Sequence, residues 1–207
     1  MEKQQICAIF AGGPEAGEPC MPVPDGAYIL CADSGLHLAE RLGCKPDLVL
    51  GDFDSLGAVP TALPHMTVPV EKDDTDTMLA ARVALEKGFR DVRIFGAFCG
   101  RLDHTLANIQ LLAMISQKSM SAYLYGKDHV YTCITNGSIV IPAKNSGYVS
   151  VFAHSDVCSG VSIKGLMYEL ENGELRNNFA LGVSNEFIGK EAEISVKSGT
   201  LCVYYEI

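Results

Sequence analysis

The chain changes its hydrophobic grammar near residue 125, and that change constrains the fold more than any other feature. From residue 4 to about 126, short β-rich runs (ICAIFAGG, YILCAD, DLVLGD, DVRIFGAF, SAYLYG) alternate with helical stretches (SGLHLAERLG, DTMLAARVALEKG, HTLANIQLLAMIS). Such alternation predicts a mainly parallel sheet with covering helices. The helices carry their own end signals. Thr75 or Asp76 can cap the one containing Met78, Leu79, Val83 and Leu85, Gly88 can end it, and Gly43 plays the same terminal role after Leu42. Beyond residue 127 the helical pattern stops. Short strands (HVYTCI, IVIP, YVSVFA, VSIKGLMYEL, NNFALGVSNEF, AEISVKSGT, LCVYYEI) follow, with the pairs Asn136-Gly137, Asn172-Gly173 and Ser198-Gly199 read as hairpin signals of an antiparallel sandwich. The expected fold is an α/β domain over residues 1–125, then a smaller all-β sandwich over residues 126–207.

Composition narrows the partners. The net charge is −9 and no run of Lys or Arg occurs, which argues against nucleic acid, whose backbone affinity comes largely from cationic contacts. A small or cationic ligand fits better. Eight cysteines would suit a disulfide framework in a small secreted protein, but the opening MEKQQICAIFAGG lacks the apolar core of a signal peptide, so a cytoplasmic location is expected. Cys7, Cys31, Cys133 and Cys202 lie in apolar strand-like runs, where a thiol acts as a small buried hydrophobe. No tight Cys/His zinc spacing occurs, and no apolar stretch is long enough to span a bilayer.

In an open parallel sheet, ligands bind beyond the carboxyl ends of the strands. Aspartates fall there: Asp33 ends YILCAD, Asp52 ends DLVLGD with Asp54 two residues on, EKDDTDT supplies Asp73, Asp74 and Asp76, and DVRIFGAF runs into CGRLDH with Asp103. In an extended segment Asp52 and Asp54 would point to the same side, because side chains alternate with period two. Clustered carboxylates repel by about 4 kcal/mol per pair at 4 Å in an effective dielectric of 20, and a divalent cation removes that penalty. All-oxygen ligation points to Mg²⁺, which shares its shell with phosphates and water. Singly, an Asp after a strand is also a common turn or capping residue; Asp33 before Ser34-Gly35 reads as such a cap, and Asp73 and Asp74 read equally as solvated.

Two phosphate-compatible features join the acids. Gly12-Gly13 after the first strand can present backbone N–H groups, although a glycine pair is also just a tight turn. Arg101 offers a fork of donors suited to phosphate, although a loop arginine is often simply exposed. No GxxxxGK[ST], GxSxG or HExxH motif is present, so a P-loop, a nucleophile elbow and a zincin site are excluded.

The segments ADSG (32–35), PDLVLGDFDS (46–55), EKDDTDT (71–77), GAFCGRLDHTLANI (96–109), GLMYEL (165–170) and GVSNEF (182–187) span nearly the whole chain, and in this order they resemble the thiamine pyrophosphokinase (thiamine diphosphokinase) family. The resemblance implies an N-terminal α/β domain, a C-terminal β-sandwich, and a homodimer with active sites between subunits. It implies transfer of the pyrophosphoryl unit of ATP to the thiamine hydroxyl, with release of AMP. Carried over by motif, Asp52, Asp54 and Asp76 are the Mg²⁺ and phosphate-handling acids, and Asp103 is a further acid near the metal or the attacking hydroxyl. Gly12, Gly13, Asp33, Lys72, Thr75 and Arg101 belong to the ATP side. Tyr168, Ser184 and Asn185 are the thiamine contacts, Tyr168 lying where relatives place an aromatic residue; a strand aromatic packed in the sandwich is the plain alternative for it. Cys99 and Met167 depart from the family pattern, where a glycine and a basic residue are usual.

For the chemistry, a carboxylate accepts the hydroxyl proton, with Asp103 the first candidate and Asp76 or Asp54 behind it. Three other readings stay open on the sequence: the same transfer onto another alcohol such as a hydroxymethyl pterin, a metal-dependent phosphohydrolase that needs only the acids and water, and a non-catalytic thiamine or nucleotide sensor. Retention of four acids together speaks against the sensor.

Overall fold

The structure, a computed structural model, describes residues 6–13, 19, 21–68, 74–98 and 101–207. Lys72, Asp73 and Cys99 lie outside the described residues. The chain forms two compact units, one of residues 1–111 with 122–127, the other of residues 112–121 with 128–207.

In the first unit the elements in chain order are β1 (Ile6–Phe10), β2 (Tyr28–Ala32), α1 (Gly35–Arg41), β3 (Leu48–Gly51), β4 (His65–Thr67), α2 (Asp76–Glu86), β5 (Asp91–Phe95), α3 (Leu102–Ser116, through Leu111 in this unit) and β6 (Ser121–Tyr125). The strand order is β6-β5-β1-β2-β3-β4, and β5, β1, β2, β3 and β4 are parallel neighbours. The central strands read as unbroken apolar runs because both faces are covered: Cys7, Ala8, Ile9 and Phe10 are all fully buried. Phe95 stacks between Phe10 and Tyr125, with ring centroids 5.3 and 5.0 Å apart. β4, three exposed residues after Pro60 and Pro64, is the short edge strand that the sequence pattern does not reveal.

Local chemistry sets the helix ends. Thr75, not Asp76, caps α2: its Oγ1 accepts the Met78 N–H at 3.2 Å, and Gly88 takes the left-handed conformation (φ 91°) just past the helix. Ala80, Ala81, Val83 and Ala84 form the buried face of α2. From β1 the chain steps to β2, β3 and β4 on one side, then returns to β5 on the other side of β1. The carboxyl ends of β1 and β5 therefore flank the switch in strand order, the place where such sheets bind ligands.

The second unit contains β7 (His129–Thr135), β8 (Ser138–Ile141), β9 (Tyr148–Ala153), β10 (Val157–Lys164), β11 (Leu170–Arg176), β12 (Gly182–Glu186), β13 (Ala192–Ser195) and β14 (Thr200–Glu206). They form two antiparallel layers, β12-β9-β14-β7 and β11-β10-β13-β8, around Val149, Val151, Cys158, Val161, Ile194 and Val203. The three Gly-containing pairs are not hairpin turns here. Asn136-Gly137 and Ser198-Gly199 are corners where the chain passes from one layer to the other, and they pair with each other: Asn136 N–H donates to Gly199 O at 3.1 Å, and Gly199 N–H donates to Asn136 Oδ1 at 2.9 Å. Asn172-Gly173 lies inside β11, where Asn172 takes φ 49° and the register against β10 shifts, so the pair forms a bulge.

Among the described residues Cys7, Cys31, Cys44, Cys133, Cys158 and Cys202 are free thiols. Burial pushes the Cys7 and Cys31 thiols up to about 12. Near pH 8 fewer than about one in a thousand of these two would be ionised, and the thiolate is the reactive form. Alkylation of the native protein at that pH should therefore leave Cys7 and Cys31 unmodified, whereas denaturant exposes both. Peptide mapping by mass spectrometry checks this, and rapid native labelling of either would contradict the buried placement.

Candidate active site

The exits of β1, β2 and β5, the start of α2 and the first turns of α3 enclose a cavity of about 280 Å³, lined in part by Gly12, Gly13, Asp33, Thr75, Asp76 and Arg101. Close backbone approach builds its floor. A Cβ on Gly12 would lie 2.0 Å from Ser34 Oγ, the group that donates to Gly12 O at 3.3 Å. Gly13 N–H donates to Gly96 O at 3.2 Å, so this amide is engaged in tying the β1 exit to the β5 exit. On the far wall, buried Asn108 donates from Nδ2 to Ala97 O at 3.1 Å, fixing α3 against the segment after β5. Thr75, Asp76 and Thr77 put the N-terminus of α2 into the cavity. The positive end of that helix favours an anionic group there.

Carboxylates gather beside this cavity. Asp33, Asp52 and Asp54 each bring a ligand-capable oxygen to within 4.8 Å of the others. The way they meet differs from simple strand alternation. β3 ends at Gly51, buried Phe53 takes the left-handed conformation (φ 63°), and the resulting turn lets Asp54 N–H donate to Asp52 Oδ1 at 3.1 Å. Asp33 is no helix cap. It too is left-handed (φ 47°), its Oδ2 accepts a hydrogen bond from Ser55 Oγ, and its Oδ1 is buried with no hydrogen-bond partner among the described residues. Three grouped carboxylates, one of them with an orphaned oxygen, are an all-oxygen donor set, which fits Mg²⁺. The hydrogen bond with Asp52, and then that residue's charge, hold the Asp54 carboxyl above its ordinary range. Asp76 is not in this group of three; it stands on the cavity wall.

Arg101 and Asp103 pair with each other at the start of α3, Nε to Oδ1 at 3.1 Å and Nη2 to Oδ2 at 2.5 Å, and both are exposed. The Arg101 hydrogen bond holds the Asp103 carboxyl below its ordinary range, which makes it a weaker base. Arg101 lines the cavity together with His104 and Asn108. Sequence reasoning passed over Ser34, Ser55, His104 and Asn108. A signal existed for the last two, since residues four apart on a helix share a face.

In the second unit, Tyr168 is not a packed strand aromatic. β10 ends at Lys164, Gly165 turns the chain with φ 76°, and Tyr168 stands on the connection to β11 with 64% of its surface exposed. Tyr168 and Asn185 line a cavity of about 190 Å³ with Glu169, Leu170, Leu181 and Val183. Ser184, in a left-handed conformation (φ 59°), gives its N–H to Ser150 Oγ at 3.1 Å. Met167 is exposed beside Tyr168.

Residues 24–124 match the family model described as the thiamin pyrophosphokinase catalytic domain, and residues 138–201 match the thiamin pyrophosphokinase vitamin B1 binding domain. The chain is 31% identical over 202 residues to a thiamine pyrophosphokinase of Bacillus subtilis (strain 168), covering 93% of this chain and 94% of that one. A crystal structure of thiamine pyrophosphokinase from Bacillus subtilis superposes with a TM-score of 0.86 at 28% identity, covering 98% of this chain and 99% of the other. One from Geobacillus thermodenitrificans gives 0.84 at 26%, with 98% of both chains covered. Two family domains in the right order, with a relative that matches almost end to end, place this chain in the thiamin pyrophosphokinase family.

Proposed function

We propose that this chain transfers the pyrophosphoryl group of ATP to the hydroxyl of thiamine, giving thiamine diphosphate and AMP. The observation that carries the reading is the juxtaposition, at one sheet edge, of an anion-receptive helix N-terminus and the Asp33, Asp52 and Asp54 carboxylates. Thr75, Gly12 and Arg101 take the phosphates of ATP, over a floor that the Gly13 amide ties together. Asp33, Asp52 and Asp54 would hold Mg²⁺, with Asp76 the further acid on the cavity wall. The bound ion supplies positive charge against the transferring oxygens.

The thiamine hydroxyl oxygen attacks the β-phosphorus, the bond from that phosphorus to the AMP oxygen breaks, and the hydroxyl proton passes to a carboxylate. Asp103 has the weaker claim to it, because the hydrogen bond from Arg101 holds its carboxyl below the ordinary range. The protein's part is otherwise positioning and electrostatics, as in phosphoryl transfers generally. On the acceptor side, Tyr168 offers the exposed face for thiamine, and Ser184 and Asn185 stand on the strand beside it. A tyrosine face attracts a thiazolium cation by about 0.5–2 kcal/mol, depending on desolvation. The net charge of −9 favours a cationic acceptor as well.

The same reading includes a homodimer, for which exposed Phe179, Leu181 and Val183 offer apolar contact surface. It also includes a cytoplasmic site of action, in keeping with the free thiols. No helix among the described residues is long and apolar enough to cross a membrane.

Incubation with ATP, Mg²⁺ and thiamine, followed by identification of the nucleotide product, tests the proposal. AMP with thiamine diphosphate is the expected outcome. ADP as the nucleotide product, phosphate release without an acceptor, or preference for a hydroxymethyl pterin over thiamine in direct competition would each overturn it.

A further inference from the structure

We propose that Asn185 is a positioning residue that holds Tyr168 as a fixed aromatic platform and does not itself touch the acceptor. The inference rests on the reading of Tyr168 as a thiamine contact. Asn185 is only 5% exposed, and its amide is spent on backbone. Oδ1 accepts from Tyr168 N–H at 2.9 Å and from Glu186 N–H at 2.9 Å, while Nδ2 donates to Tyr168 O at 2.7 Å. An asparagine side chain offers two acceptor sites and two donor hydrogens, so three of its four valences are used.

The amide thereby does for Tyr168 what a neighbouring strand would do. The segment between β10 and β11 has a single bridge, Leu166 with Phe187, extended by Met167 N–H to Glu186 O at 3.0 Å. Past Met167 the pairing continues through the Asn185 side chain, which engages both the N–H and the C=O of Tyr168. Two further constraints close the segment. Gly165 N–H donates to Glu169 Oε1 at 2.9 Å, and a Cβ on Gly165 would lie 2.0 Å from Glu191 O.

A backbone held at both polar groups, carrying a ring that is left 64% exposed against a cavity, is not how a packing aromatic is placed. It is how a contact surface is prepared before its ligand arrives, with the ordering cost already met in folding. Ser184, bonded to Ser150 and left-handed, turns the chain so that the next side chain points inward to the clamp.

The test is a double-variant cycle in steady-state kinetics on the full-length protein. Tyr168→Ala and Asn185→Ala should each raise the KM for thiamine about tenfold, within the range a desolvated cation–π contact supports, with kcat and the KM for ATP nearly unchanged. The double variant should be no worse than the worse single one, because both remove the same platform. Additive effects would show that Asn185 meets the acceptor independently, and would overturn the proposal. So would an unchanged thiamine KM in Tyr168→Ala, whereas wild-type protein that does not turn over thiamine overturns the underlying function instead. Should Asn185→Ala fail to fold, Asn185→Asp retains both accepted bonds and loses the donated one, and is expected to fall between wild type and Tyr168→Ala. Hydrogen exchange gives a readout free of activity: the Tyr168 amide is expected to be protected in the wild type and to exchange faster in the Asn185 variants. A fast-exchanging Tyr168 amide in the wild type counts against the clamp.

Discussion

Replacing Asp52 by asparagine should lower kcat by at least about a thousandfold while leaving the melting temperature of the metal-free protein unchanged or slightly raised. The two effects separate because the residue does two different things. Its Oδ1 accepts the Asp54 N–H at 3.1 Å, and the amide oxygen of asparagine can accept the same bond, so the turn after β3 keeps its support. Its negative charge acts differently. It sits within 4.8 Å of oxygens from Asp33 and Asp54, where like charges repel.

The sign of the pH effect follows from Asp54, whose pKa in the folded protein lies above the unperturbed 3.8. A carboxyl raised on folding contributes stability that is present below its unfolded pKa and is lost as pH rises through the folded value. Ionisation of Asp54 therefore costs stability at neutral pH, and Asp52→Asn relieves that cost there but not in acid, where Asp54 is protonated. Thermal melts at the two pH values without divalent ions check this. Added Mg²⁺ should raise the melting temperature of the wild type at neutral pH and do much less for the variant. Activity near the wild-type level in Asp52→Asn would remove the acid cluster from the mechanism.

Much of this arrangement is legible in the sequence, and the parts that are not share a physical cause. Buried parallel strands are continuous apolar runs, so β1, β2, β3 and β5 can be read directly, and an Asp immediately after such a run is already at the ligand-binding edge. What the pattern cannot convey is backbone conformation after the strand ends. Strand alternation puts Asp52 and Asp54 on one side, yet they meet because Phe53 turns left-handed, a conformation rare for an aromatic residue. Asp33 looks like a helix cap by position, but its own left-handed backbone accompanies a side-chain bond with Ser55, twenty-two residues away. Asp76 and Asp103 are indistinguishable from the others as letters. Only the packed structure shows one on the cavity wall and the other paired with Arg101.

The second half follows the same rule. Asn-Gly reports that the backbone turns and not what it turns toward, so Asn136 and Gly199, sixty-three residues apart, pair with each other across two layer-switching corners. GLMYEL resembles strand text, but Met167 and Tyr168 are adjacent and both exposed, which a half-buried strand does not allow.

Gly35→Ala should destabilise the protein by about 2 kcal/mol or more, the upper part of the range for overpacking in a rigid core. On helix propensity alone the change would be favourable, by about 0.5–1 kcal/mol, since alanine is the better helix former. Packing reverses the sign. A Cβ at Gly35 would sit 2.0 Å from Phe10 O and 2.5 Å from Phe10 C, both backbone atoms of the central strand β1, so no side-chain rotation can make room. Either α1 lifts, uncovering buried Leu36, Leu38 and Ala39, or β1 shifts within a sheet bonded on both sides. For a chain of this size the loss corresponds to a fall of about 4–8 °C in melting temperature. The site should suffer with the fold. Lifting α1 carries Ser34 away from Gly12, so the KM for ATP should rise in the fraction that remains folded. Gly43→Ala is the control. Its φ of 69° also disfavours a side chain, but nothing lies within 4 Å of the added Cβ, so it should cost only the left-handed strain of about 1–2 kcal/mol and leave the KM for ATP alone. If Gly35→Ala proves as stable as the wild type, the contact between α1 and β1 is looser than the 2.0 Å approach requires, and the cavity floor built on it loses its support.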